Sequence, residues 1–323
     1  MNRMRWLAAA SLSLLCASGA AAQNYPTRPV TIIVPYAAGG GTDLLARMVA
    51  QKLEQRLGKS FVVENRPGGG TVIAALAVAK APPDGYTLLM GTSTPLAINA
   101  TLHKKLPYDP VTDFVPLALV ANVPFVLVVN PSLPINSVSD LIKLAKEKPG
   151  SLSYGTSGPG SPHHLYSELF KSMTGIEMIH VPYKGSVPAL TDVVAGHIPL
   201  MFVDLAPAQP MIKEGKVRAL GVSSAVHVAS LPDVAPIAEV GVPGFEAVAW
   251  QMLVAPANTP KQIVDTLYKE MKVVLALPDI KLRINELGMI PIDSPPPDEL
   301  ARYVKTEIVR WGEVVKKSGA SIE

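Results

Sequence analysis

Short apolar runs alternate with helical patterns along the first part of the chain. A β-branched run ends at Pro35, and a small-residue loop leads from it into a helical pattern over Leu44–Leu53. The runs Phe61–Glu64 and Tyr86–Met90 predict two more strands, and the alanine-rich stretch Thr71–Lys80 predicts a helix between them. Strands that alternate with helices in this way are typical of a parallel sheet with helices on its faces.

A long apolar region in the middle of the chain predicts a passage between two domains. Two strands, Val115–Val120 and Phe125–Val129, are expected there, separated at Asn122-Val123-Pro124. The apolar run Ala247–Val254 predicts the return passage. The C-terminal part of the chain predicts three helices that begin at prolines: Pro260–Ala276, Pro278–Leu287 and Pro297–Ser318. The N–H that proline lacks has no partner within the helix at its first position.

These patterns predict an α/β fold of two lobes connected by two crossover strands. The 323 residues suffice for about two domains. Residues 23–122 and 248–323 are expected to form lobe 1, and residues 123–247 lobe 2. Ligands of open α/β sheets lie beyond the carboxyl ends of the strands, so the loops at those ends are expected to face a cleft between the lobes.

The N-terminus has the pattern of a secretory signal peptide over residues 1–22. A basic start, a short apolar stretch and three alanines precede an expected cleavage site after Ala22. Lipidation of Cys16 is left open, but Leu15 stands where a lipoprotein signal needs a small residue. The mature chain then lacks cysteine and should be a soluble, exported protein of the periplasm.

Removal of the signal peptide also changes the net charge of the chain, which decides what partners it would attract. It reduces the 29 basic residues to 27, against 26 acidic residues. A nearly neutral exported chain has no electrostatic footprint for nucleic acid or for an anionic membrane. Neither kind of partner is therefore expected.

Two glycine-containing loops follow predicted strands and precede predicted helices. We call residues 36–43 loop A and residues 155–161 loop B; neither contains lysine or arginine. The backbone N–H groups and the dipole at a helix N-terminus suit an anion, whereas the alternative is a tight turn that needs glycine only for its positive φ. Asp43 is expected to cap its own helix or to close loop A. Asp204 is expected either to meet an amine or hydroxyl of a ligand or simply to end its strand.

Several enzyme classes are disfavoured by incomplete motifs. Leu44 replaces the third glycine of a dinucleotide fingerprint, and no glycine precedes Lys-Ser or Lys-Thr, as a nucleotide P-loop requires. A serine hydrolase that uses Ser93 or Ser161 remains the alternative, with His163 or His164 as its base. The two adjacent histidines cannot both point at one ion from a helix, so no metal site is expected.

Six motifs stand in order along nearly the whole mature chain. They are Thr27-Arg28-Pro29, Val34-Pro35-Tyr36-Ala37-Ala38-Gly39-Gly40-Gly41-Thr42-Asp43, Glu64-Asn65-Arg66-Pro67-Gly68, Pro83-Asp84-Gly85-Tyr86-Thr87-Leu88-Leu89, Tyr154-Gly155-Thr156-Ser157-Gly158-Pro159-Gly160-Ser161 and His180-Val181-Pro182-Tyr183-Lys184-Gly185. With this set the chain resembles the Bug (Bordetella uptake gene) receptors of the tripartite tricarboxylate transporter family. The resemblance implies a type II periplasmic binding protein of the flytrap kind that binds small carboxylates, such as di- or tricarboxylates, acidic amino acids or aromatic acids.

The resemblance also implies which residues meet the ligand. They are Tyr36, Ala38, Gly39, Gly40, Thr42 and Asp43 in loop A and Gly155, Thr156, Gly158, Gly160 and Ser161 in loop B. Ser93, His163, Tyr183 and Asp204 are expected to add side chains around the cleft. Backbone amides of both loops would form a two-sided carboxylate clamp. The implied protein is a monomer without cofactor or catalysis, and it serves a membrane permease or a sensor kinase.

Overall fold

The computed structural model of the chain describes residues 25–322. The predicted signal peptide and Cys16 lie outside the described residues. The strands are β1 Val30–Val34, β2 Phe61–Asn65, β3 Thr87–Thr92, β4 Phe114–Val129, β5 Ser153–Thr156, β6 Ile179–Pro182, β7 Leu200–Asp204, β8 Arg218–Val222, β9 Val248–Pro256 and β10 Ile290–Pro291. The α-helices are α1 Gly41–Leu57, α2 Val72–Ala79, α3 Asn99–Leu102, α4 Val138–Glu147, α5 Pro162–Thr174, α6 Ser186–Ala195, α7 Leu205–Lys213, α8 Ile237–Val240, α9 Lys261–Ala276, α10 Pro278–Glu286 and α11 Pro297–Ser318.

The strands form one mixed sheet with two parallel parts, one in each lobe. Its order is β2-β1-β3-β9-β4-β7-β5-β6, and β8 and β10 both pair with β4. Strands β1, β2 and β3 are parallel, as are β5, β6 and β7. The antiparallel strands β4 and β9 lie between these two parts. The alternation of parallel strands and helices predicted for the first part of the chain is therefore confirmed, and lobe 2 has the same arrangement.

Strand β4 carries the chain from one lobe to the other without a break. The predicted separation into two strands is wrong, because Phe114–Val129 is one strand of 16 residues. Residues up to Pro124 pair with β9, and residues from Phe125 pair with β7 and β8. Proline cannot donate to a strand ladder, and Pro124 lies where β4 changes partners. The proline thus marks the passage between lobes but does not end the strand.

The C-terminal helix α11 packs on elements of both lobes. Its Trp311 ring stacks on Tyr166 of α5, with 5.3 Å between ring centroids. The indole N–H groups of Trp250 and Trp311 donate to the same oxygen of Glu307, at 2.9 and 3.0 Å, and Glu307 is buried. A buried carboxylate with several donors is well satisfied, so this contact fixes α11 against the crossover strand β9.

Among the described residues, no helix combines the length and the apolar character that a membrane crossing requires.

Candidate functional site

The carboxyl ends of β1 and β3 in lobe 1 face the carboxyl ends of β5 and β7 in lobe 2. Tyr36 follows β1, and its hydroxyl lies 2.9 Å from Oγ1 of Thr92 at the end of β3. Burial raises the pKa of Tyr36, hydrogen bonds with Thr92 and Thr94 oppose this, and the charge of Asp204 at the end of β7 raises the pKa further. Residues of the two lobes therefore share one electrostatic environment between the strand ends.

Glycines allow the lobes to approach each other at two places. A Cβ atom at Gly160 of loop B would lie 2.6 Å from the methyl carbons of Leu102 in lobe 1. A Cβ atom at Gly288 would lie 2.9 Å from Cβ of Leu205, at the start of α7. Both glycines also have positive φ, at +71° and +75°, which side chains rarely adopt. Larger residues at these positions would push the lobes apart.

Loop A leads into a helix whose N-terminus has no side-chain cap. Helix α1 begins at Gly41, and its N-cap residue Gly40 is extended, with φ −76° and no capping hydrogen bond from a side chain. The first-turn N–H groups of a helix have no partner within the helix. Residues 37–40 are exposed. The positive end of the helix therefore lies directly behind the exposed residues of loop A, and no side chain caps its first amides.

Asp43 closes loop A and does not cap α1. Its Oδ2 accepts hydrogen bonds from the Gly39 N–H at 2.8 Å and from Arg47 at 3.1 Å, and its Oδ1 accepts from Asn65 at 2.9 Å. Burial acts to raise the pKa of the Asp43 carboxyl, but these hydrogen bonds lower it below its usual value. Asn65 also donates to the carbonyl oxygen of Tyr36 at 3.0 Å. The N–H of Gly39 is thus used within the loop, and its expected contact with a ligand stays a prediction.

Loop B satisfies its own backbone N–H groups. The N–H of Gly158 donates to Thr156 Oγ1 at 3.1 Å, and the N–H of Gly160 donates to His164 Nδ1 at 3.1 Å. Ser161 caps α5, because its hydroxyl accepts from the backbone N–H of His164. Side chains of the same loop and helix thus hold the amides of Gly158 and Gly160 in this geometry, and their expected contact with a carboxylate stays a prediction.

A stack of aromatic rings supports loop B from behind. The rings of His164 and His180 are stacked with 4.1 Å between centroids, and Tyr154 stacks on His180 at 5.2 Å. Burial, together with the neighbouring His180, lowers the pKa of His164 to about 4. Neutral His164 can accept the hydrogen bond from Gly160 through Nδ1. Oγ1 of Thr156 lies 2.7 Å from Nε2 of His180, which fixes the start of the loop.

A chain of hydrogen bonds crosses the lobe 2 side of the site. The hydroxyl of Ser157 lies 2.9 Å from Nδ1 of His163, and Nε2 of the same ring lies 3.2 Å from Oδ2 of Asp204. His163 is buried, and Phe125 packs against its ring at 4.7 Å. Burial acts to raise the pKa of Asp204, but the charge of His163 and hydrogen bonds from His163 and Ser186 lower it below its usual value.

Ser157 was not among the residues expected from the sequence, although it lies within loop B. The spacing of six residues between Ser157 and His163 is the only sequence signal that links them. Ser161, the candidate nucleophile in this loop, contacts the carbonyl of Gly158 and a backbone N–H but no imidazole. Ser93, the other candidate, directly follows β3 and is 1% exposed.

Tyr183 contributes to lobe 2 through an internal contact. Its hydroxyl donates to Asp192 Oδ2 at 2.6 Å. Burial and this contact raise the pKa of Tyr183 to about 12. Its ring lies beside Gly155, where a Cβ atom would come within 3.7 Å of the ring and within 2.4 Å of Ile198. Glycine at position 155 thus lets β5 pack closely against its neighbours.

Among residues 25–322, no group of three or more histidine, cysteine or acidic side chains is arranged to hold a metal ion.

Comparison with known proteins gives consistent results over nearly the whole chain. Residues 45–320 match the family described as "Tripartite tricarboxylate transporter family receptor", or TctC. Protein BugT of Bordetella pertussis is 36% identical over 327 residues and covers 100% of both chains. The structure of R. palustris Rpa4515 with adipate is 42% identical, with a TM-score of 0.81, and covers 92% of this chain and 99% of that chain. MatC (Rpa3494) from Rhodopseudomonas palustris with bound malate is 33% identical, with a TM-score of 0.75, and covers 90% of this chain and 100% of that chain.

These comparisons confirm the two-lobed α/β fold of a solute-binding protein. They also confirm the resemblance that the sequence motifs indicate, since the relatives include a Bug protein. From the extent of the family match, the chain belongs to the tripartite tricarboxylate transporter receptor family, TctC.

Proposed function

We propose that this protein is an extracytoplasmic receptor that binds a small carboxylate between its lobes and passes it to a permease of the tripartite tricarboxylate transporter type. The uncapped N-terminus of α1 in loop A is the observation that carries the proposal. A helix end of this kind binds a carboxylate through backbone N–H groups and the helix dipole. The adipate and malate bound by two related proteins support a carboxylate as the ligand class.

In the proposed mechanism, the ligand carboxylate binds loop A first and lobe 2 then closes on the ligand. Lobe 2 contributes side chains, with Ser157, His163 and Asp204 nearest to the strand ends. A charge-assisted hydrogen bond contributes about 1.5–3 kcal/mol. A few such bonds would support micromolar affinity, which corresponds to about −8 kcal/mol. Hydrogen bonds from loop A and from side chains across the cleft would therefore give a receptor micromolar affinity without an arginine or lysine.

Thermal unfolding with a panel of carboxylates tests the proposal. A ligand that binds only the folded protein stabilises it by RT ln(1 + [L]/Kd), which is about 2.7 kcal/mol at a hundredfold excess over Kd. The expected result is a rise in melting temperature with at least one small carboxylate and none with matched amides or alcohols. If no carboxylate raises the melting temperature of folded protein, the receptor proposal fails.

The export and partner assignments belong to the same proposal. We expect the periplasmic protein to begin at Gln23, with residues 23–122 and 248–323 in lobe 1 and residues 123–247 in lobe 2. Intact-mass measurement of the exported protein would distinguish simple cleavage from lipidation at Cys16. Size-exclusion chromatography with light scattering would test the expected monomer. Uptake assays in a permease deletion strain would separate transport from delivery to a sensor kinase.

A serine hydrolase remains a second candidate because of one observation. Ser157, His163 and Asp204 form a Ser–His–Asp chain of hydrogen bonds, and such a chain activates serine in hydrolases. A fluorophosphonate probe would label Ser157 if the serine were activated as a nucleophile. Labelling that is lost in Ser157→Ala, with no response to carboxylates, would favour the hydrolase over the receptor.

A further inference from the structure

The Asp204 side chain ends the hydrogen-bond chain on the lobe 2 side of the cleft and keeps contact with solvent. Its Oδ2 accepts from His163, and the Ser186 hydroxyl donates to the same carboxylate. The side chain nevertheless remains 36% exposed, whereas the His163 side chain is 7% exposed. An ionised carboxylate has about four acceptor positions and no donor. Asp204 therefore has acceptor capacity left for a group in the cleft.

The direction of the hydrogen bonds follows from the ionised state of Asp204. An ionised carboxylate can only accept, so Nε2 of His163 carries the hydrogen that lies between them. In a neutral ring Nδ1 is then an acceptor, and the Ser157 hydroxyl donates to it. The remaining lone pair of Ser157 Oγ is also an acceptor. When Nδ1 accepts the hydrogen of Ser157, the free positions of both Asp204 and Ser157 at this side of the cleft are acceptors.

Loop A has the opposite character. Its helix N-terminus presents N–H donors and a positive dipole. The charge of Asp204 acts on the Tyr36 hydroxyl of loop A, and Gly160 of loop B packs against Leu102 of lobe 1, so the two sides lie near each other. The site is therefore polarised, with donors in lobe 1 and acceptors in lobe 2. A second carboxylate directed at Asp204 would meet a like charge.

From this arrangement we propose that the ligand carries a hydroxyl or ammonium group in addition to its carboxylate, and that this group donates a hydrogen bond to Asp204. The inference rests on the proposed function, since it assigns a partner to the second polar group of a ligand whose carboxylate binds loop A. It makes Asp204 a specificity-determining residue that selects hydroxy or amino acids over unsubstituted acids of the same skeleton.

Calorimetry with matched ligands tests this selection at about pH 8, more than one unit above the usual histidine pKa of about 6.5. The sets are propanoate with lactate and alanine, and succinate with malate and aspartate. The substituted acid should bind the unchanged protein at least about tenfold more tightly, as expected of a hydrogen bond to a charged group. A larger gain with the amino acid would identify an ammonium donor, and a larger gain with the hydroxy acid would identify a hydroxyl. Equal affinity within every set would overturn the inference and leave the receptor intact, whereas no binding by any acid would overturn both proposals.

Asp204→Asn provides the residue-level test because it keeps the shape and an oxygen acceptor for His163. The preference for the substituted acid should fall by about tenfold, and the unsubstituted acid should bind at least as tightly as before. Asp265→Asn is a matched control on the exposed face of α9, where Asp265 pairs with Lys261, and it should leave the preference unchanged. If folded Asp204→Asn keeps the full preference, Asp204 does not select the ligand. If that variant does not fold, the matched sets with the unchanged protein still decide the inference.

Discussion

Loops A and B share one local architecture but treat the helix that follows them in opposite ways. Each runs from the end of a parallel strand through glycines into a helix. In loop A the N-cap is Gly40, which offers no side chain, so the helix amides remain without a side-chain partner. In loop B the N-cap is Ser161, whose hydroxyl accepts from the N–H of His164. One helix end is open to an anion, and the other is closed by its own serine.

This difference explains why similar glycine loops have different roles. Backbone amides that a protein already holds give a ligand little, because binding must first break the internal hydrogen bond. In the proposed site, lobe 1 thus supplies amides and a dipole, and lobe 2 supplies the side chains of Ser157 and Asp204. The proposed site is therefore an asymmetric pair of surfaces, whereas the two-sided carboxylate clamp expected from the sequence uses backbone amides of both loops.

The largest effect is expected from capping helix α1 in loop A with a side chain, as Ser161 caps α5 in loop B. In Gly40→Asp, the new carboxylate should cap α1 and place a negative charge where the ligand carboxylate binds. Position 40 accepts this side chain, since φ is −76° and a Cβ atom added there would lie 3.7 Å from its nearest neighbour, the carbonyl oxygen of Ala37. Carboxylate affinity should fall at least about a hundredfold by charge repulsion, while the free energy of unfolding rises by a few tenths of a kcal/mol, about the difference between glycine and aspartate caps.

Gly40→Ala is the matched control, because it adds a Cβ atom without a cap or a charge. It should bind carboxylate within about threefold of the unchanged protein, since neither electrostatics nor hydrogen bonding changes. Isothermal calorimetry and thermal unfolding of both variants give the two quantities needed. Full affinity in a folded Gly40→Asp variant would remove the α1 N-terminus from the site.

A smaller effect is expected on how the free energy of unfolding depends on pH, because His164 supports loop B. The pKa of His164 falls from the usual 6.5 to about 4 in the folded protein, chiefly through burial. The unfolded chain therefore takes up a proton first as pH falls, and the folded state loses stability from about pH 6.5 downwards. One pKa unit corresponds to about 1.4 kcal/mol, so the loss between pH 7 and pH 5 should be about 2 kcal/mol.

His164→Asn separates this effect from general acid denaturation. The asparagine oxygen can still accept from Gly160, but the residue no longer titrates. Urea unfolding at several pH values should show a flatter pH dependence than in the unchanged protein. The exposed His227, which pairs with Glu239, provides the control His227→Asn, whose pH dependence should follow that of the unchanged protein. An equally steep loss in both variants would show that His164 does not couple loop B to pH.

Secondary-structure patterns predicted most of the fold because they depend on local periodicity. Helix α4 begins at the kind of serine cap that a sequence can reveal, since the hydroxyl of Ser137 accepts from the N–H of Asp140 at 3.0 Å. The three C-terminal helices lie within a residue of their predicted bounds. Helix α7 was not predicted, because Pro207 and Pro210 lie within it and proline usually ends a helix. Strand β4 was predicted as two strands because Pro124 cannot donate to a strand ladder.

The site was less predictable, because its roles depend on contacts between distant residues. The sequence placed the loops correctly at the strand ends, yet it could not show which amides the protein itself uses. His164 holds the Gly160 amide only because the loop folds back onto the first turn of α5. Ser157 and Asp204 are 47 positions apart in the sequence, and only the β5–β7 pairing and His163 bring them into one hydrogen-bond chain.

The smallest predicted effect comes from opening loop B in Ser161→Ala. Loss of an N-cap serine destabilises a helix by about 1 kcal/mol, which should lower the melting temperature by about 2 °C in a chain of this size. Carboxylate affinity should change less than about threefold, since the hydroxyl contacts Gly158 and His164. Ser137→Ala, which removes the matching cap of α4, should destabilise the protein by a similar amount. A Ser161→Ala variant with unchanged stability and tenfold weaker carboxylate binding would instead make Ser161 a ligand donor, and the two loops would then be equivalent after all.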